Sequence, residues 1–351
     1  MSENKVIVGI SQGDINGIGL EVILKTLAEP MLSEICVPVL FSSQKTVSYY
    51  RKALNLEEFN FNSIKELSQI QAKKPNVFMC YDEEVNIEMG KPSALSAKYA
   101  KLSLETATQA LLDNHIHVLV TGPINKDTMN EAGFNYPGHT EYVGEKFGGG
   151  SPLMILCSGD LRVAVVTGHV PLKNVSSLLT VEKVYSKIQQ LHNTLQQDFG
   201  IRKPKIAVLG FNPHAGENGK IGDEELKVII PAINKAKDSM LIYGPYPSDG
   251  FFGNSMHTQF DGVLAMYHDQ GLIPFKTLAF NSGVNYTAGL NYIRTSPDHG
   301  TAYDIVGKNV ADESSFREAI YLAVDLYKRR HMHKEISENP LAFSPIKKER
   351  G

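Results

Sequence analysis

Short runs of β-branched and aliphatic residues alternate along the chain with longer stretches whose apolar positions recur every three or four residues. The short runs predict strands over 6–10, 39–41, 117–120, 162–167, 205–209 and 262–266. The longer stretches predict helices over 19–27, 93–114, 181–199, 224–237 with a kink at Pro231, and 314–331. Strand and helix in alternation build βαβ units, so the pattern predicts an α/β fold whose sheet has a large parallel component. The 351 residues correspond to two domains at roughly 100–200 residues each. With no repeat and no Pro/Gly/Ser-rich joint between them, the two are expected to share a continuous sheet or to cross over more than once.

Composition narrows the functional classes. Lys plus Arg is 35 against 38 for Asp plus Glu, a net charge of −3, with 42% apolar and 21% charged residues. This balance carries neither the basic excess of a nucleic-acid binder nor the charge imbalance of a disordered tail. No apolar run approaches a membrane span, and the segment MSENKVIVGIS lacks a basic and apolar leader, so the chain is expected to be cytoplasmic. Cys36, Cys80 and Cys157 have no CxxC spacing and read as small buried residues. The basic run 328–334 reads as the solvated C-terminal end of the last helix, where cations complement the macrodipole.

Three apolar strands run straight into a histidine: RVAVVTGH at His169, KIAVLGFNPH at His214 and GVLAMYH at His268. In open α/β sheets, ligands bind beyond the carboxyl ends of the strands, so residues just after strands of one sheet face a common crevice. Three imidazoles converging there suit a divalent metal with open positions, Zn²⁺ first and Co²⁺ or Mg²⁺ next. A fourth strand, HVLVTGPINK, ends in a turn with Asn125 and Lys126, followed by PGHTEYVGEKFGGG with His139 and Thr140. Backbone N–H groups and a cation in such loops suit an anionic substrate.

Other segments add acids and cations. YHDQGLIPFK sets Asp269 beside His268, with Lys276 further on, and GPYPSDGFF supplies Asp249. Each of the three is a candidate proton acceptor at an alcohol, and Asp269 is alternatively an orienting partner of His268. GVNYTAGLNYIRTS offers Asn285 and Arg294, the latter shaped for bidentate contact with phosphate or carboxylate. Asp223 is placed to cap a helix beginning at Glu224. GDINGIG follows the first strand but matches neither GxGxxG nor a Walker loop, and either cradles an anion or starts a helix tightly against the sheet.

In order over nearly the whole chain, GDINGIG, TGPINK, PGHTE, TGHVPL, NPHAGE, YHDQG and IRTSPDHGTAYDIVGK resemble the motifs of the 4-hydroxythreonine-4-phosphate dehydrogenase family. The resemblance implies an isocitrate/isopropylmalate dehydrogenase-like fold of two α/β/α domains with the active cleft between them. The corresponding division is 1–130 plus 305–351 for the first domain and 131–304 for the second, which would carry most metal and substrate ligands and the dimer interface. It implies metal ligands His169, His214 and His268, substrate contacts from His139, Thr140, Lys276, Asn285 and Arg294, and a homodimer with shared sites. HGTAYDIVGK is similar to the loop by which isopropylmalate dehydrogenases hold the adenosine half of NAD, with His299 and Asp304 at the matching positions, and an acid there favours NAD over NADP. The implied reaction is NAD- and metal-dependent oxidation and decarboxylation of 4-phosphooxy-L-threonine in pyridoxal phosphate (vitamin B6) biosynthesis. Relatives acting on D-erythronate or D-threonate 4-phosphate, a phosphotransacylase-like enzyme and a non-catalytic binding protein are the alternatives. The chain departs from the family pattern at SQGDINGIG, where a TPGDPAGIG-like stretch is usual, and at Gly250 after Asp249, where Thr is common.

Overall fold

The computed structural model describes residues 5–339. Among them, twelve strands form one continuous sheet: β1 (Val6–Ser11), β2 (Cys36–Ser42), β3 (Asn62–Ile64), β4 (Asn76–Met79), β5 (Val118–Thr121), β6 (Gly149–Ser158), β7 (Leu161–Thr167), β8 (Lys205–Leu209), β9 (Leu241–Tyr246), β10 (Gly262–Tyr267), β11 (Val284–Leu290) and β12 (Arg294–Pro297). Their order is β3-β4-β2-β1-β5-β12-β11-β6-β7-β10-β8-β9. Pairing is antiparallel only through the centre, at β12–β11, β11–β6 and β6–β7, and parallel on both sides. All six strands expected from the hydrophobic pattern are present. The edge strands β3, β4 and β9 and the central β6, β11 and β12 were not expected: β3 and β4 are short, β9 is interrupted by Gly-Pro, the apolar run of β6 follows Gly-Gly-Ser-Pro, and VNYTAGL and RTSP mix polar residues among the apolar ones.

Side-chain alternation sorts the strands' residues between two faces. On β5, Val118 and Val120 join one core while Leu119 joins another; on β10, Leu264 and Met266 oppose Val263 and Ala265 in the same way. One face is covered by a single continuous core under the helices Gly19–Leu27, Val181–Gln197, Ile230–Lys237 and Ser314–Glu338. The other face holds two separate cores, one under Ala94–Leu112 and His139–Lys146, the other under His268–Ala279. Between them the sheet is left open, and Thr121, Asn285, Thr287, Arg294 and Ser296 occupy positions that would otherwise be apolar. That gap is the cleft described below.

Several local expectations are corrected. The stretch 224–237 does not simply kink at Pro231: a π turn, Glu225–Ile229, precedes the helix Ile230–Lys237, so the proline, which has no N–H to donate, falls in that helix's first turn. Asp223 caps nothing; its carboxylate pairs with Lys227 one turn on. The last helix continues to Glu338, so the basic run lies inside it rather than at its end. There Arg330 is half-buried and donates to Asp198 at 2.7 and 2.9 Å and to the Tyr286 hydroxyl at 2.9 Å, a tertiary tie invisible in the local pattern. Cys36 and Cys157 are buried, Cys80 is partly so, and all three are free thiols. Among the described residues no helix is long and apolar enough to cross a membrane.

Candidate active site

The cleft has a volume of about 290 Å³ and is lined from both sides of the open gap. The end of β5 brings Thr121 and the Gly122-Pro123 turn, and Lys126 follows where Asn125 caps a short helix by accepting from Thr128 N at 3.1 Å. The helix His139–Lys146 opens on His139, Thr140 and Glu141. His169 stands two residues beyond β7, Lys276 comes from His268–Ala279, Asn285 from β11, Arg294 and Ser296 from β12, and Asp298 and His299 from the turn after it. His139, Thr140, His169, Lys276, Asn285, Arg294 and His299, all singled out by sequence, therefore meet in one cavity.

The charges in the cleft call for an anion. Arg294 is 2% exposed, and its guanidinium donates only to hydroxyls: Nε and Nη2 to Thr121 Oγ1 at 3.0 and 2.6 Å, Nη1 to Thr287 Oγ1 at 3.2 Å. Among the described residues no carboxylate forms an ion pair with it, and burial lowers it to about 9. Glu141 is near enough to act on the guanidinium but does not pair with it, and a buried cation without a contacting counter-charge is destabilising unless a ligand supplies one. His139, beside it, is held well below its ordinary value by burial and by the charges of Arg294 and Lys126, so its imidazole is neutral. Four polar atoms around the cleft are shut off from water without any partner: His139 Nε2, Glu141 Oε2, Asn285 Oδ1 and His299 Nε2. Buried polar atoms are nearly always paired, so four orphans around one cavity mark positions completed by a ligand.

Two acids escaped the sequence reading. Asp298 is 14% exposed at its side chain and its Oδ2 lies 3.2 Å from Lys276 Nζ. Burial raises Asp298 above the usual carboxylate range while Lys276 pulls the other way. Glu141 Oε1 lies 3.8 Å from His169 Nδ1, beyond hydrogen-bond length but close enough that His169 holds Glu141 below the usual range. Both stand inside the quoted motifs SPDHG and PGHTE; their neighbours drew the attention, and only the fold shows that these carboxylates turn into the cleft. Of the three candidate proton acceptors, Lys276 alone lines it. Asp249 and Asp269 line a separate, largely apolar groove with Phe252, Ile273 and Leu278.

The three histidines are brought to one edge of the sheet, after the neighbouring strands β7, β10 and β8, but they do not assemble within one chain. His169 and His268 face each other with ring centroids 5.5 Å apart, and Asp269 Oδ1 lies 2.7 Å from His268 Nδ1, so each imidazole has a carboxylate beside it. Imidazoles backed by carboxylates are the donor chemistry of a divalent metal site. Yet among the described residues no group of three His, Cys, Asp or Glu side chains is placed to hold an ion. His214 is exposed on a turn of its own, where His214, Ala215, Gly216, Glu217 and Asn218 all have positive φ, between 41° and 77°. A non-glycine residue costs about 1–2 kcal/mol in the left-handed region, so this run needs strong external support. The chemistry of the donor pair fits a metal ion, but two imidazoles alone do not make a closed site.

GDINGIG is resolved as the tight helix start. Asp14 Oδ1 accepts from Asn16 N at 2.8 Å, and Asn16 Nδ2 donates to the Lys91 carbonyl at 2.8 Å, so both polar side chains are spent internally. Gly17 lies so close to Thr301 that a Cβ would stand 2.9 Å from its carbonyl oxygen, and Ile18 N donates to that oxygen at 2.9 Å. Tyr303 closes the contact by donating to Asp14 Oδ2 at 2.6 Å. The first turn of the fold thus buttresses the loop 299–307, which carries His299 at the cleft and an exposed Asp304 outside its lining.

A family model described as pyridoxal phosphate biosynthetic protein PdxA matches residues 34–323. The chain belongs to the PdxA family. Within it, a 4-hydroxythreonine-4-phosphate dehydrogenase of Bacteroides thetaiotaomicron is 49% identical over 97% of this chain and 94% of its own. A protein of Oceanobacillus iheyensis named provisionally as a D-threonate 4-phosphate dehydrogenase is 38% identical over 92% of this chain and 98% of its own. The crystal structure of 4-hydroxythreonine-4-phosphate dehydrogenase from Klebsiella pneumoniae superposes with a TM-score of 0.78 at 34% identity, covering 93% and 98% of the two chains. The resemblance drawn from the motifs and the α/β fold class are thereby confirmed.

Proposed function

We propose that this PdxA family member is an NAD-dependent dehydrogenase that oxidises the secondary alcohol of 4-phosphooxy-L-threonine, the product losing CO2 to give 3-amino-2-oxopropyl phosphate. The observation that carries this reading is Arg294, a buried guanidinium with hydroxyl partners only, facing a cleft ringed by unpartnered polar atoms. NAD supplies the hydride acceptor, and a divalent ion, Zn²⁺ before Co²⁺ or Mg²⁺, supplies Lewis-acid stabilisation of oxyanion charge.

The chain's own residues bind, orient and move protons. Arg294, Lys126, His139, Thr140 and Asn285 hold the phosphate and carboxylate ends, which fixes the hydroxyl-bearing carbon. Lys276, inside the cleft and 3.2 Å from Asp298, passes a proton from its ammonium to the Asp298 carboxylate, whose hold on a proton burial strengthens, and the freed amine takes the hydroxyl proton at Nζ. Glu141 Oε2, buried and unpartnered, is the acceptor for a substrate amino N–H. A sugar-acid phosphate offers only a neutral hydroxyl at that position, and a charged ammonium is the stronger partner for a buried carboxylate, which favours the amino-acid substrate over D-threonate or D-erythronate 4-phosphate. The name of the Oceanobacillus relative keeps the D-threonate reading as the second choice. His299 and Asp304 receive the cofactor's adenosine half, and the acid favours NAD over NADP.

The metal site is completed between two chains of a homodimer: His169 and His268 come from one protomer and His214 from the other. Supporting this are the 5.5 Å approach of His169 and His268 without His214, and an exposed apolar strip on the helix that begins with His268, where Ile273 is 63% and Leu278 52% exposed. Two inactive variants, His214→Ala and His268→Ala, should recover about a quarter of wild-type activity when equal amounts exchange subunits at random, because half of the dimers are then mixed and one of the two sites in each is intact. His169→Ala mixed with His268→Ala should recover none. The reverse pattern, with subunit exchange demonstrated, contradicts the assignment.

A further inference from the structure

The left-handed turn that carries His214 rests on a carboxylate with no other evident task. Glu225 is 2% exposed. Its Oε1 accepts from the backbone N–H of Phe211 and of Asn212, both at 2.7 Å, and its Oε2 accepts from Asn212 Nδ2 at 2.9 Å. Among the described residues no Lys, Arg or His forms an ion pair with it. A carboxylate buried without a counter-ion is unfavourable unless several N–H donors satisfy it, and here those donors belong to the two residues that lead from β8 into the turn. The turn closes back onto the same group: a Cβ on Gly216 would stand 2.6 Å from Glu225 Oε2, and one on Gly210 would stand 3.2 Å from Oε1. Glu224 reinforces the arrangement from the rim, accepting from Asn212 Nδ2 and from Ser176 Oγ, each at 2.7 Å. Glu225 itself opens the π turn Glu225–Ile229, a widened turn of the kind often found at functional sites.

We propose that Glu225 is a positioning residue that holds the 213–219 turn in its left-handed form and so presents His214 for metal binding. This rests on the reading of His214 as a metal ligand given above. Hydrogen bonds from a charged acceptor to two successive backbone N–H groups fix the chain's direction as it leaves β8, and contact with Gly216 fixes where the turn must come back. Without the carboxylate, those N–H groups would be left unpaired and the run of positive φ would relax to ordinary backbone, taking His214 with it.

Glu225→Gln tests this in the full-length dimer, because an amide cannot accept at both ends where three N–H donors converge. Zn²⁺ affinity by chelator competition is expected to fall by about 10- to 100-fold, the range typical of losing a group that orients a ligand. Amide hydrogen exchange should rise at 210–219 and stay unchanged in β7 and β10, and saturating Zn²⁺ should restore most of kcat. Gly216→Ala keeps the carboxylate but blocks the closure, and should give the same pattern even if Glu225→Gln does not fold. Wild-type Zn²⁺ affinity in both variants, or a loosened turn with unchanged affinity, overturns the proposal. His214→Ala serves as the reference: if it too binds Zn²⁺ as the wild type does, it is the metal-ligand reading that has failed, whereas lost binding there with retained binding in Glu225→Gln refutes the role of Glu225 alone.

Discussion

Lys276 Nζ lies 3.2 Å from Asp298 Oδ2, and the pair joins the His268–Ala279 helix to the turn after β12 across the floor of the cleft. Asp298→Asn leaves Lys276 with the Asp298 carbonyl, at 3.3 Å, as its remaining partner. Turnover is expected to fall about 100-fold, the usual effect of displacing a reacting group, with KM for the phosphorylated substrate little changed; steady-state NADH formation measures both. Burial raises Asp298, so the stability gained from its protonated form is present at acid pH and lost as pH rises through the raised value. The variant should therefore gain in melting temperature relative to wild type as pH rises above the ordinary carboxylate range.

Arg294→Lys keeps the charge and loses the fork that engages Thr121 and Thr287. A lost hydrogen bond to a charged group is worth about 1.5–3 kcal/mol, so KM for the phosphorylated substrate should rise roughly 10- to 100-fold. Inorganic phosphate should raise the melting temperature of wild type and have little effect on the variant.

Burial depresses His139 and His299, and in His139 the charges of Arg294 and Lys126 add to the effect. The unfolded chain takes up protons as pH falls through about 6.5, while the folded ligand-free protein resists them. Stability from these two groups is thus full above that pH and is lost below it. Thermal melts over this range should show the loss in wild type, a smaller loss in His139→Gln, and partial protection by phosphate, whose charge favours the imidazolium.

Tyr303→Phe removes the hydrogen bond to the buried Asp14 that ties the 299–307 loop to the first turn of the fold. Stability is expected to drop by about 1.5–3 kcal/mol. KM for NAD should rise while KM for the phosphorylated substrate holds, which steady-state kinetics with each substrate varied in turn will show. An equal rise in both would mean that the loop serves the substrate rather than the cofactor.

The edge strands β3, β4 and β9, short or interrupted by Gly-Pro, escaped the pattern, but the strands between them and the centre were legible because parallel strands buried on both faces read as continuous apolar runs, as in VIVGIS and RVAVVT. The centre was not, because β11 and β12 spend alternate positions on Asn285, Arg294 and Ser296, which line the cleft, and on Thr287, which accepts from Arg294, and these polar residues break the pattern. For the same reason the cleft residues His139, Thr140, Lys276, Asn285 and Arg294 were singled out through motifs rather than periodicity. Asp298 and Glu141 needed the fold, since a carboxylate beside a histidine in a loop says nothing of which way it points. The strand-end rule expected His169, His214 and His268 to converge on one crevice; they follow neighbouring strands, but only His169 lines the cleft. It could not foresee five successive residues with positive φ, which depend on Glu225, a residue that in sequence looks like ordinary helix surface.

The most direct test of the central claim follows NADH absorbance with the purified protein, NAD and 4-phosphooxy-L-threonine, beside D-threonate and D-erythronate 4-phosphates, with chelator and with added Zn²⁺, Co²⁺ or Mg²⁺. The account predicts metal-dependent NADH formation that is fastest with the amino-acid phosphate and abolished by chelator. Full activity without metal, or no NADH from any of the three phosphates, contradicts it.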